Sequence, residues 1–213
     1  INWSCFETKK WKAGEFKIIN GNLNFHLQAD GKKLIINTGL PGSIYKENIK
    51  AVLALAERFN IPADITAESL NNFKPSDHFV SQSTGLNKSM LLDDGGTSNP
   101  KGFASAIQIA KDLKYPKKIL VTSGIVDLGD ASDQVHEELG MMANQTFSMV
   151  LYTGPDGYDS FLKGWDKLSG NKPILRIMEN SDLEKLQNEI DENTLVLIEG
   201  RLPARVTKLL KSI

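Results

Sequence analysis

Two stretches of the chain bring carboxylates, glycines and helix-start residues close enough together to do chemistry. The first is Asp93-Asp94-Gly95-Gly96-Thr97-Ser98-Asn99-Pro100. Backbone N–H groups at a helix start and the Asn99 amide can donate or accept hydrogen bonds, and a carboxylate can accept from the hydroxyls of a sugar, so the loop could hold a nucleotide. The second is Gly124-Ile125-Val126-Asp127-Leu128-Gly129, one acid between two glycines, with His136 seven residues further on. Such a loop allows close backbone approach, and an imidazole titrates near neutrality and can act as acid, base or substrate contact. Both stretches also have a plain structural explanation. Asp and Gly are what a turn between strand and helix uses, Asn-Pro is an ordinary helix start, and a lone histidine is more often a packing residue.

The elements around these loops have a regular rhythm. Met90 to Leu92, Ile119 to Val121, Val150 to Tyr152, Ile174 to Ile177 and Leu195 to Ile198 read as apolar strands. Between them lie helical patterns: one starting at Asn99-Pro100, one that Asp130 or Ser132 could cap, one over Tyr158 to Leu168, and one at the capping-box pattern Ser181-x-x-Glu184. A last helix follows Pro203. Strands alternating with helices predict a Rossmann-like, mostly parallel sheet with flanking helices, and ligands of such sheets sit outside the carboxyl ends of the strands. That rule selects the two loops above, with Tyr152 to Asp156 and Glu199 to Arg201.

The first part of the chain has a different pattern. Phe16 to Ile19, Leu23 to Leu27 and Leu34 to Ile36 read as short strands, with Asp30-Gly31 as a hairpin turn. Ile49, Val52, Leu53, Ala56 and Phe59 fall at helical spacing over residues 44–59, and Thr66 could cap a further helix carrying Leu70 and Phe73. Hairpin strands with two helices make an incomplete α/β piece, because one sheet face is left uncovered.

Composition limits the function classes. The 213 residues carry 25 Lys and Arg against 26 Asp and Glu, a net charge of −1, which argues against binding nucleic acid through the overall field. No run approaches the ~18 to 20 apolar residues of a membrane helix. Cys5 is the single cysteine, and His26, His78 and His136 lie far apart, so no metal-ligand spacing is present. No G-x-x-x-x-G-K-[ST] phosphate loop occurs, since Gly31-Lys32-Lys33 lies in a hairpin turn. The chain opens at Ile1 directly in patterned sequence, which suggests a fragment.

At this point the βα part resembles the Mur ligases. Their D-D-S-Y-N-A-N-P pattern is similar to Asp93 to Pro100, and their E-L-G followed by H-x-x-x-G to Asp127-Leu128-Gly129 and His136 to Gly140. In the first part, Gly42, Asn48 and Ala51 match the helix start of the family's central ATPase domain. The resemblance implies residues 1–82 as the end of that domain and 83–213 as the family's C-terminal domain. It implies an ATP-dependent, cytoplasmic amide ligase of peptidoglycan synthesis, with no membrane or nucleic-acid partner. Its substrates would be a UDP-sugar peptide and D-alanyl-D-alanine, or another amino acid or peptide. It implies Asn48, Asp94, Thr97 and Asn99 at ATP, and Asp127, Gly129 and His136 at the amine substrate or the closure surface. The phosphate loop and the Mg2+ ligands would belong to a missing N-terminal part, so that the fragment alone would be inactive. Where the family has His-Asn, Tyr-Asn and K-G-S, this chain has Ile44-Tyr45, Gly96-Thr97 and Glu199-Gly200-Arg201, and a junction arginine is replaced near Asp77-His78. A folylpolyglutamate-type ligase and a non-catalytic interaction module of the same fold remain as alternatives.

Overall fold

A computed structural model of the chain describes residues 8, 10–73, 80–96, 98–168, 172–176 and 180–211. Thr97, His78 and Cys5 lie outside the described residues, as does the side chain of Ser181, on which the capping pattern rests. The chain divides into two compact units, Ile1–Pro75 and Ser76–Ile213.

The first unit is built on hairpins. Strand β3 (Asn22–Ala29) pairs antiparallel with β4 (Lys32–Pro41) on one side, and with the short β1 (Lys12–Ala13) and β2 (Lys17–Ile19) on the other. Asn20-Gly21 and Asp30-Gly31 both have positive φ at both residues, the two-residue turn that matches the strand twist. Period-two alternation sends Leu23, Phe25 and Leu27 inward and leaves His26 and Gln28 exposed. Helices α1 (Lys46–Arg58) and α2 (Ala63–Asn72) supply Ile49, Leu53, Ala67 and Leu70 to the same core. Thr66 is not a cap: α2 starts three residues earlier behind Pro62, and the Thr66 hydroxyl donates back to the Pro62 carbonyl at 3.2 Å from inside the helix. Phe73 lies beyond the end of α2 and is exposed.

The second unit is a six-stranded sheet in the order β5 (Ser81–Thr84), β6 (Met90–Asp94), β10 (Thr194–Glu199), β7 (Lys117–Thr122), β8 (Met149–Tyr152), β9 (Ile174–Arg176). All pairs are parallel except β5 with β6, where Ser81 faces Asp93 and Gln82 faces Leu92. Residues 81 and 82, assigned from the sequence to the first piece, therefore belong to the sheet of the second unit. From β6 the chain passes through α3 (Pro100–Asp112) to β7, through α4 (Ser132–Thr146) to β8, and through α5 (Tyr158–Asp166) to β9, always stepping the same way across the sheet. Right-handed crossovers put these three helices on one face. The return from β9 through α6 (Asn180–Glu189) to β10 reverses the step, so α6 and the following α7 (Ala204–Leu210) cover the other face, where Leu186, Ile190, Val206 and Leu210 meet Leu91, Val121 and Val196. The reversal lies between β6 and β10. Each strand is followed there by a helix on the opposite face, which opens a crevice at their carboxyl ends.

Candidate functional site

The loops at the carboxyl ends of β6, β10, β7 and β8 are tied to one another by main-chain hydrogen bonds. The Gly200 N–H donates to the Asp94 carbonyl at 3.2 Å, the Ser123 N–H to the Glu199 carbonyl at 3.3 Å, and the Thr153 N–H to the Thr122 carbonyl at 2.8 Å. These bonds continue the ladders one step past the strands, so the side chains at the strand ends stand on a rigid rim.

Asn99 has extended backbone and caps α3. Its Oδ1 accepts from the Gly102 N–H at 2.9 Å, with Pro100 at the first helical position. Asn99 itself is exposed. Asp93 accepts from the Gly95 N–H at 3.0 Å and pairs with Lys211 at 2.5 Å. Asp94 is half-buried and sits in register with Glu199 on the adjacent strand. Their carboxyl groups lie within hydrogen-bonding reach of each other.

Glu199 is 1% exposed, at the end of a strand that is otherwise wholly apolar after Thr194. Its Oε1 accepts from the Ser98 hydroxyl at 2.6 Å, and its Oε2 has no donor among the described residues. Burial, and then the neighbouring Asp94 charge, push its carboxyl up to about 9, so Glu199 is a neutral acid at pH 7. Asp94 is raised as well, by burial and by the charge of Asp93, against a hydrogen bond from Glu199 that favours its ionised form. Two carboxyls in contact hold one proton between them.

In the second loop Asp127 and Gly129 are exposed and have positive φ, and a short 3-10 turn over Gly129–Ala131 leads into α4, which has no side-chain cap from Asp130 or Ser132. The tight turn does the work that a cap would do. His136 is fully buried. Its Nε2 accepts from the Ile125 N–H at 3.1 Å, and its Nδ1 lies 2.8 Å from the Ser132 carbonyl. The imidazole is therefore the neutral tautomer with the proton on Nδ1: Nε2 holds the loop to α4, and Nδ1 bonds back to the first turn of α4 itself. Behind it the buried Tyr152 hydroxyl donates to the Asp156 carbonyl at 2.8 Å, and burial raises its phenol above the usual range. Asn48 is an exposed residue of α1 in the first unit.

No family model matches the sequence. The chain is 24% identical over 182 residues, 82% of its length, to the UDP-N-acetylmuramoyl-tripeptide–D-alanyl-D-alanine ligase of Treponema pallidum, and spans 38% of that enzyme. In structure it matches MurF from Acinetobacter baumannii with a TM-score of 0.71 at 19% identity, covering 89% of this chain and 41% of that one. It matches MurF from Thermotoga maritima in complex with ADP with a TM-score of 0.69 at 18% identity, covering 95% of this chain and 45% of that one. The chain has the fold of the Mur ligases.

Within the Mur-ligase fold, the carboxyl-end crevice of the second unit gathers Asp94, Ser98, Asn99 and Glu199, with the Asp127 to Gly129 turn on the neighbouring loop. Of these, the pairing of Glu199 with Ser98 and Asp94 did not come from reading the loops one by one. The available signal was a carboxylate closing an apolar strand, since a buried strand end rarely carries an unpaired charge. Among the described residues no three His, Cys, Asp or Glu side chains converge as a metal site, and no helix is long and apolar enough to cross a membrane.

Proposed function

We propose that the chain is the C-terminal portion of an ATP-dependent, ADP-forming amide ligase of peptidoglycan-precursor synthesis. It would act in the cytoplasm and join D-alanyl-D-alanine to a UDP-N-acetylmuramoyl-tripeptide. The observation that carries this reading is the similarity to the Treponema pallidum ligase, which runs through both units.

In this reading ATP phosphorylates the terminal carboxylate of the UDP-sugar peptide, and the amine of the dipeptide displaces phosphate from the acyl phosphate to form the amide. Asp94 and Asn99 would serve the adenosine end of the nucleotide, the role that the family resemblance also gives to Asn48 and Thr97. The acceptor at the crevice suits that end: the Asp94 carboxylate can accept from sugar hydroxyls and repels a phosphate. Asp127 and Gly129 lie toward the amine substrate or the closure surface, and His136 acts on them by fixing their loop. Magnesium would charge-neutralise the phosphates; its ligands, like the phosphate loop, belong to a part of the polypeptide outside these 213 residues, so the chain alone does not turn over.

The test is a turnover assay on the intact polypeptide encoded by the gene. ADP release that requires both the UDP-N-acetylmuramoyl-tripeptide and D-alanyl-D-alanine is expected. ADP release with glutamate and a folate instead, or none with any amine, would sink the assignment.

A further inference from the structure

We infer that Glu199 is a positioning residue: as a neutral acid it donates a hydrogen bond to Asp94 and holds that carboxylate, still ionised, at the crevice between β6 and β10 as the acceptor for a ribose hydroxyl. The identity of the ligand rests on the ligase reading above, whereas the state of the two carboxyls rests on geometry. Glu199 and Asp94 are direct neighbours in a parallel ladder, at the point where the chain reverses its direction across the sheet. Oε1 of Glu199 accepts from Ser98, and its buried Oε2 meets no N–H or O–H donor among the described residues. A buried carboxyl oxygen beside a second carboxyl and without a donor is satisfied if it carries the proton itself and donates it.

The proton sits on Glu199 because Glu199 is 1% exposed whereas Asp94 is half-buried, and burial penalises the charged form more strongly in the drier place. Asp94 keeps its charge. Among the described residues the charged group acting on the pair from outside it is Asp93 on the same strand, tied to Lys211 after α7, while the neighbouring end of β7 brings Thr122 and Ser123. No cation among these groups neutralises Asp94. A lysine in place of Glu199 would also donate to Asp94 but would cancel its charge; the neutral acid orients the carboxylate and leaves it a full-strength acceptor. Such an acceptor selects hydroxyl donors and disfavours phosphate.

The experiment uses the intact polypeptide encoded by the gene, labelled with 13C at its carboxyl groups. At pH 7.5 the Glu199 signal is expected in the protonated position and the Asp94 signal in the ionised one. ADP should move the Asp94 signal, and 2′,3′-dideoxy-ADP should bind about 10-fold more weakly, because a site built for a hydroxyl rejects the ligand that lacks it. Glu199→Gln, whose amide donates in place of the acid, should keep that discrimination; Glu199→Leu should reduce it to within about 3-fold. Above pH 9 the natural chain should behave like Glu199→Leu, while Glu199→Gln should not change. A Glu199 that is ionised at pH 7.5, discrimination that survives in Glu199→Leu, or an Asp94 signal that answers to D-alanyl-D-alanine and not to ADP overturns the inference. Equal binding of the two nucleotides overturns it as well. The ligase reading fails separately, in the turnover assay, which does not depend on where this proton sits.

Discussion

Gly157, the residue before α5, stands against the imidazole of His136 on α4 with no room for a side chain between them. A Cβ at this position would lie only 2.3 to 2.4 Å from atoms of the ring, and the backbone there has φ +72°, which L residues rarely adopt. The contact joins two elements whose only other link in sequence is β8, and it fixes the imidazole that holds the Asp127 loop. Gly157→Ala is expected to destabilise the second unit by about 2 to 3 kcal/mol, from strain and overpacking together. His136→Ala should act further along the same chain of contacts. It frees the Ile125 N–H and the Ser132 carbonyl, so hydrogen exchange at Ile125 should accelerate well before exchange in the strands does.

A second close approach fixes α5 itself. Gly164 faces the main chain of α4, where an added Cβ would lie 2.9 Å from the Cα of Glu137 and closer still to its carbonyl. Backbone cannot move aside as a flexible side chain can. Gly164→Ala normally favours a helix, by about 1 kcal/mol. Here it should destabilise instead, because the two helices must separate, and urea unfolding followed by Trp165 fluorescence would report the sign. A gain in stability would show that α4 and α5 are not in contact at this point.

Asn99 gives the local measure of the nucleotide loop. Its side chain accepts from Gly102 and begins α3, so Asn99→Ala should cost about 1 kcal/mol in chemical unfolding. Asn99→Asp preserves the acceptor and should restore the stability. If both variants also weaken ADP binding, the Asn99 amide has a ligand role beyond its cap.

The legible parts of this chain were those set by local chemistry. The alternation of apolar strands with helices, the Asn99-Pro100 start and the Asp30-Gly31 hairpin follow from neighbouring residues alone, and each is present in the fold. Strand β5 was not legible, because Ser-Gln-Ser-Thr has no apolar alternation and is held as an edge strand only by its pairing with β6. Thr66 looked like a cap because a hydroxyl serves equally well at a helix start or bonded back inside the helix, and only Pro62 decides which. The close packing of His136 and the state of Glu199 depend on Gly157 and Asp94, residues brought in by another loop and another strand. Loops that bind were visible one at a time; the contacts that set their charge and shape were between loops.

The acid pair makes a prediction about stability as well as binding. In the unfolded chain Glu199 ionises near its ordinary value of 4.5, and in the folded chain only near 9. Between those values the native state binds a proton that the unfolded state has lost. Stability must therefore fall as pH rises from about 4.5 and level off above about 9, with a slope of at most about 1.4 kcal/mol per pH unit for one proton. The raised Asp94 adds to the fall in the lower part of that window. Other groups contribute to the absolute profile, so the measurement is the difference between the natural chain and Glu199→Gln. Gln keeps the acceptor for Ser98 and a donor toward Asp94 without a titrating proton, and should flatten the profile and unfold several degrees higher at pH 8. Parallel profiles for the two proteins from pH 5 to pH 9 would mean that Glu199 is ionised in the fold, and the shared proton would have to be abandoned.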